Sequence, residues 1–186
     1  MAYPKDPDNY NYYRKKYLDA CSYYKTYDSR VSTYQAQRKT VVNEINALES
    51  KIRKYKDAIS DMQNVLNLQS DFNSEAKNLS TATDNASKNY TAMVDVEGTT
   101  FTLKNVKTEY DPGTTTIKTH ISNLFSTVSQ KKKNLENVRS DTETSKKNAN
   151  TRLSNIDAEI KSAKSNRSYW YNKKVSYYAK MMYYYY

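Results

Sequence analysis

Residues 10–62 read YNYYRKKYLDACSYYKTYDSRVSTYQAQRKTVVNEINALESKIRKYKDAISDM, and their spacing decides the fold. Every seventh residue from Tyr10 gives Tyr10, Tyr17, Tyr24, Val31, Arg38, Ile45, Ile52 and Ile59. Every seventh from Tyr13 gives Tyr13, Ala20, Tyr27, Tyr34, Val41, Leu48, Tyr55 and Met62. Arg38 is the one polar residue in these two rows. Apolar residues at alternating steps of three and four form one stripe along a helix, and eight successive heptads predict a coiled coil. A helix of this kind cannot bury its stripe alone and needs a partner helix.

Outward from this stretch the pattern weakens. Val65, Leu68, Phe72, Leu79, Ala86 and Met93 continue the stripe after extra three-residue steps, a stammer that locally overwinds the coil. Residues 73–92 are rich in Ser, Thr, Asn and Ala, which predicts a thin core there. In the second half, Ile117, Ile121, Leu124, Val128, Leu135 and Val138 start a stripe that Thr142 and Ser145 interrupt. Ala149, Leu153, Ile156, Ile160 and Ala163 resume it, followed by Trp170, Tyr177 and Met181.

Helix breakers are confined to the middle. Of 186 residues two are Gly (Gly98 and Gly113), and Pro112 is the one proline after Pro7. Asp111-Pro112-Gly113 is a turn signal, because Pro presets φ and Gly tolerates positive φ. Thr99-Thr100-Phe101-Thr102-Leu103 between the glycines is rich in β-branched residues and suits a small β-hairpin or an irregular loop. The expected fold is therefore all-α: an elongated antiparallel two-helix hairpin, or coiled coil, with a short loop or small β-hairpin at the tip. It forms a single domain over residues 1–186, with helices over 8–93 and 115–183 and a tip over 94–114. A turn centred near residue 104 pairs residues whose numbers sum to about 208. That register sets Ile52 near Ile156, Ile59 near Ala149, and Arg38 near Trp170. Arg38 then either stacks on the indole as a cation–π pair or snorkels out of the seam.

Tyrosine is the compositional outlier, with 20 residues against 3 Phe and 1 Trp. Most lie near the two chain ends, which a hairpin brings together. Tyr10, Tyr13, Tyr17, Tyr24, Tyr27, Tyr34 and Tyr55 fall on the seam. Tyr12, Tyr23, Tyr169, Tyr171 and the tail Tyr183, Tyr184, Tyr185 and Tyr186 are surplus to a two-helix seam. Together with Tyr24, Asp28, Arg38, Trp170, Tyr177 and Tyr178, they make a candidate partner interface. The alternative for the same residues is a bulky aromatic core at the open end of the hairpin. Tyr suits half-exposed contacts, offering an apolar ring and a polar tip.

Charge and chemistry narrow the function classes. Net charge is +10, and residues 160–186 hold six basic residues and no acid. Such a segment, interleaved with aromatics, can meet nucleic acid or an anionic membrane surface. His120 is the only histidine, so no His-based dyad or His cluster can form within one chain. Cys21 lies beside the seam and reads as a small buried side chain. No Gly-rich phosphate loop, cleavable signal peptide or long apolar span is read. These features predict a non-enzymatic chain without cofactor or metal ion.

A signal-less helical hairpin with a small central break resembles the small helical proteins of type VII secretion. These are the WXG-type proteins and the helical-hairpin partners encoded beside LXG toxins. Val96-Glu97-Gly98 stands where that group has a Trp-x-Gly turn, with Val in place of Trp. Tyr24-Lys25-Thr26-Tyr27-Asp28 matches its aromatic-x-x-x-acid export signal, within the first helix rather than after the second. The resemblance implies an adaptor that pairs with a toxin's helical stalk. It would be cytoplasmic before signal-peptide-independent export, and secreted or held at the cell surface after it. Two other classes fit the same residues: a self-assembling structural rod of a phage, filament or surface appendage, and a nucleic-acid-associated basic coiled coil.

Overall fold

The computed structural model describes the backbone of residues 4–97 and 103–186, and the side chains of 4–85 and 112–186. Two helices make up the protein, α1 (Pro7–Glu97) and α2 (Leu103–Tyr185), packed against each other as an all-α helical hairpin. Among the described residues there is no strand. The chain divides into two units: Met1–Ser50 with Glu143–Tyr186, and Lys51–Thr142. Each pairs a stretch of α1 with a stretch of α2.

The start of α1 is specified locally. Asp6 is the N-cap: its carboxylate accepts from the Asn9 backbone N–H at 3.1 Å and from the Asn9 side-chain amide at 2.8 Å. Pro7 follows at the first helical position, where its missing N–H is no loss. The Asn9 side chain and then its backbone N–H hold the Asp6 carboxyl below its usual range. The Asp6 backbone N–H in turn donates to the Tyr184 carbonyl at 3.3 Å, satisfying one of the last carbonyls of α2.

In the first unit the expected α1 seam is observed. Ala20, Val31, Val41 and Ile45 are buried, and Tyr10, Tyr13, Tyr17, Tyr24, Tyr27, Tyr34 and Leu48 are half-buried. Val41 and Ile45 close on Ala149, with Leu48, Leu153 and Ile156 packed around them. Beta-carbon-sized Ala149 and Ala163 let α2 approach closely, and Ile160 and Met181 fill the larger gaps.

The α2 seam has a different composition from the expected one. Inward positions in the first unit are Lys146, Ala149, Leu153, Ile156, Ile160, Ala163, Arg167, Trp170, Lys174, Tyr177, Met181 and Tyr184. In the second unit they are Ile121, Phe125, Val128, Lys132, Leu135, Arg139 and Thr142. Each list steps by three and four without interruption. Ile117, Leu124 and Val138, expected in the seam, are exposed, and Phe125 is buried instead. Lysine and arginine stems cover apolar surface while their charged heads reach water, so they fill seam positions that a hydropathy reading scores as polar. On α1, Leu66 is half-buried where Val65 and Leu68 were expected, and both of these are exposed. The next inward residue is Phe72, six positions on, which locates the stammer between Leu66 and Phe72. Ala86 and Met93 lie outside the described side chains.

The register also differs. Asp28 with Arg167, Arg38 with Asp157, and Glu49 with Lys146 are ion pairs across the two helices, and each pair of numbers sums to 195. Tyr10–Tyr185, Tyr17–Tyr178 and Tyr24–Tyr171 are ring contacts with the same sum. The expected sum of 208 averaged two turn signals, and only the earlier one bounds a helix. Helix α2 runs through Asp111-Pro112-Gly113, so residues 94–97 and 103–114 are helical rather than part of a tip. Proline forfeits one amide hydrogen bond and crowds the preceding turn, yet its own φ is helical. Gly113 is not in the left-handed region, and a Cβ added there would meet nothing within 4 Å. Of the suggested hairpin strand, residues 99–102 lie outside the described residues, and Leu103 opens α2.

A glycine in a helix with space for a side chain gives a direct test. Gly113→Ala raises stability by about 0.5–1 kcal/mol, measured by denaturant unfolding followed by circular dichroism. A turn at this position would make the same substitution destabilising.

Candidate interaction surface

The first unit gathers the aromatic side chains of both helices. Among the described residues, six ring contacts in this unit cross between α1 and α2. Tyr13 stacks on Tyr184 with centroids 5.6 Å apart and planes at 4°. Tyr23 stacks on Trp170 at 4.3 Å and 19°. Tyr10–Tyr185, Tyr13–Tyr177, Tyr17–Tyr178 and Tyr24–Tyr171 are tilted pairs at 5.5–6.5 Å. Offset or tilted aromatic pairs contribute about 0.5–1.5 kcal/mol beyond their buried area. These rings therefore hold the two helices together. The antiparallel pairing creates this, since it sets an aromatic-rich α1 start against an aromatic-rich α2 end.

Among the described residues, four exposed tyrosines make no ring contact across the helices. Tyr12, Tyr169, Tyr183 and Tyr186 touch only the adjacent ring of their own helix, edge-on at 5.0–5.2 Å. They are 56%, 51%, 72% and 82% exposed. Tyr23, Tyr171 and Tyr178 are also exposed at their outer edges, while Trp170, Tyr24, Tyr177, Tyr184 and Tyr185 are half-buried. The twelve aromatic residues of the expected interface thus fall into rings consumed by the hairpin and rings left facing outward.

Cations are set over these rings. Lys16 lies 5.7 Å from the centre of Tyr12 and Lys173 lies 5.5 Å from Tyr169. Lys174 sits between Tyr24 and Tyr171, and Lys180 over Tyr13. At i,i+4 spacing on an exposed helix face such pairs hold the ring in place at small cost and leave its other face free. The first unit contains 17 basic and 9 acidic residues, so it carries +8 of the net charge.

Arg38 and Asp28 have partners the sequence reading did not assign. Arg38 Nε donates to Asp157 Oδ1 at 2.7 Å, and Trp170 stacks on Tyr23, so the expected Arg38–Trp170 contact is absent. A shift of 13 in the pairing sum moves the indole about three and a half turns away from Arg38 and toward the chain ends. Asp28 Oδ1 accepts from Arg167 Nη1 at 2.8 Å, which engages the acid of the Tyr24–Asp28 motif. Arg152 with Glu44 adds a further cross-helix pair. None of these partners on α2 was legible, because an ion pair between exposed groups leaves no mark in a hydropathy pattern.

Cys21 is half-buried beside Tyr17. Its thiol hydrogen bond, and then the charge it would carry, push the Tyr17 hydroxyl above its ordinary range. Among the described residues no three His, Cys, Asp or Glu side chains group as a metal site, and no helix is long and apolar enough to cross a membrane. What the surface offers is stacking, hydroxyl hydrogen bonds and positive charge. No protein-family model, no curated protein and no solved structure matches the chain.

A double-mutant cycle separates the two arginine pairings. Arg38→Ala with Asp157→Ala gives a coupling of about 0.2–1 kcal/mol that shrinks in high salt, as for exposed ion pairs. Arg38→Ala with Trp170→Ala gives additive losses of stability.

Proposed function

We propose that this chain is a non-enzymatic helical adaptor, which works by pairing the aromatic end of its first unit with another helical protein. The observation that supports this is the outward set Tyr12, Tyr169, Tyr183 and Tyr186, which the hairpin does not use for its own packing. Tyrosine is over-represented among residues that dominate protein–protein binding energy, because one ring supplies large contact area with few rotatable bonds. The neighbouring lysines favour a partner whose docking face is acidic. By its resemblance to the helical partners of LXG toxins, the first partner to test is a type VII secretion substrate with a helical stalk.

Binding of single-stranded nucleic acid is the second reading. It is favoured by six basic residues without an acid in 160–186, set among exposed rings on which bases could stack.

The test compares the wild-type chain with a Tyr12→Ser/Tyr169→Ser/Tyr183→Ser/Tyr186→Ser variant in affinity capture from the native host, followed by mass spectrometry. The adaptor reading expects one helical protein on the wild type and at least about a tenfold loss of its affinity on the variant, with unchanged helix content. Recovery of the chain alone, or equal capture by both forms, contradicts it. Capture of nucleic acid, with affinity falling steeply as salt rises, supports the second reading instead.

A further inference from the structure

The outward rings of the first unit touch its cross-helix ring pairs. Tyr12 meets Tyr13 edge-on at 5.0 Å, and Tyr183 meets Tyr184 edge-on at 5.1 Å. Tyr13 and Tyr184 stack on each other across the helices at 5.6 Å. A continuous row of phenols therefore runs from exposed Tyr12, through half-buried Tyr13 and Tyr184, to exposed Tyr183. Phenols, with thiols and indoles, are the side chains most readily oxidised by one electron. An electron vacancy passes between rings in contact, so oxidation of an outward ring reaches the inner pair.

Geometry separates Tyr13–Tyr184 from the other tyrosine pairs. Two phenoxyl radicals couple at carbons ortho to the oxygen, through the p lobes that stand perpendicular to each ring. The planes of Tyr13 and Tyr184 are 4° apart, so these lobes share one direction and the ring edges meet after a small slide. The other cross-helix tyrosine pairs are inclined at 35–53°, and the same-helix neighbours at 81–88°, which turns the lobes away from each other. Position separates the pair as well. Tyr13 lies near the start of α1 and Tyr184 near the end of α2, where helices fray. With one cysteine the chain has no internal disulfide to hold these ends. A bond between the two rings would enclose residues 13–184, and a link that closes a long loop restrains the unfolded chain most.

We infer that Tyr13 and Tyr184 are a site of oxidative coupling, at which a dityrosine bond closes the open end of the hairpin. The oxidant is hydrogen peroxide acting through a one-electron oxidant of the haem-peroxidase class. Each phenol gives up one electron and its hydroxyl proton. The two radicals join through one ortho carbon of each ring, and the hydrogen on each of those carbons moves to the oxygen of its own ring, which restores both phenols. The pair loses two electrons and two protons in all, and the peroxide takes them up and leaves as two waters. Tyr12 and Tyr183 are the relays through which oxidation enters. The inference goes beyond the adaptor reading, since it needs the stacked pair and its neighbours but no partner.

The test treats the full chain, folded and dilute, with hydrogen peroxide and a haem peroxidase, and maps the products by peptide mass spectrometry. The expected product keeps the 21.7 kDa mass of one chain less two hydrogen atoms and shows dityrosine fluorescence. Its linked peptides carry Tyr13 and Tyr184. Tyr184→Phe keeps the ring and its packing but forms no phenoxyl radical, so that linked pair is lost and the intramolecular yield falls. Tyr12→Phe/Tyr183→Phe keeps the link and slows its formation. Unfolding the chain in urea before oxidation removes the preference for this pair. The absence of dityrosine, links only between copies, intramolecular links mainly at other pairs, or the same preference from the unfolded chain overturns the assignment. Formation at the wild-type rate in Tyr12→Phe/Tyr183→Phe overturns the relay. Partner capture is a separate readout, so failure of the adaptor reading leaves these outcomes unchanged.

Discussion

Everything in the first unit depends on the register at which α1 meets α2. A two-helix seam buries only a narrow stripe, so few side chains are removed fully from water and no single one dominates. In place of a deep core, the helices are locked by many cross-helix contacts that share one pairing rule. Ion pairs Asp28–Arg167, Arg38–Asp157 and Glu49–Lys146 and ring pairs Tyr10–Tyr185, Tyr17–Tyr178 and Tyr24–Tyr171 all obey it. Exposed ion pairs contribute little individually, but a slip of one turn would break all of them together and set unlike side chains face to face. The cap at Asp6 belongs to the same rule, because its N–H reaches Tyr184 only when the two chain ends lie level.

The composition follows from the thin seam. Where a globule would use Leu and Phe, this chain uses Tyr and Lys, whose apolar bodies cover the stripe while their polar ends stay wet. Lys146, Arg167 and Lys174 occupy seam positions on α2 for that reason, and they supply the cations for Asp28, Glu49 and the rings of Tyr24 and Tyr171. The tyrosine excess is thus mainly structural. Once the paired rings and the half-buried Tyr27, Tyr34 and Tyr55 are assigned to the seam, Tyr12, Tyr169, Tyr183 and Tyr186 remain among the described residues.

The α1 seam as far as Met62 was legible because a three-four repeat of apolar residues has one physical meaning. The α2 seam was less so. Thr142 and Ser145 read as interruptions, Lys132, Arg139 and Lys146 had no place in the expected stripe, and Ile117, Leu124 and Val138, counted in it, are exposed. The register was misjudged because a Pro-Gly dipeptide is a turn signal only where the chain is free to turn. With helix on both sides, Pro112 and Gly113 were carried through α2. Asp157 as the partner of Arg38 could be found only after the register was known. The surplus of tyrosines was visible from composition, but which of them face outward required the cross-helix ring pairs.

The most direct measurement is cross-linking with a short bismaleimide in a Cys21→Ser background. One chain carries Asp28→Cys with Arg167→Cys, and a second carries Arg38→Cys with Trp170→Cys. The register of 195 predicts rapid intramolecular cross-linking of the first pair and little of the second. Efficient cross-linking of the second pair, with none of the first, would contradict the pairing on which the rest of the structure is built.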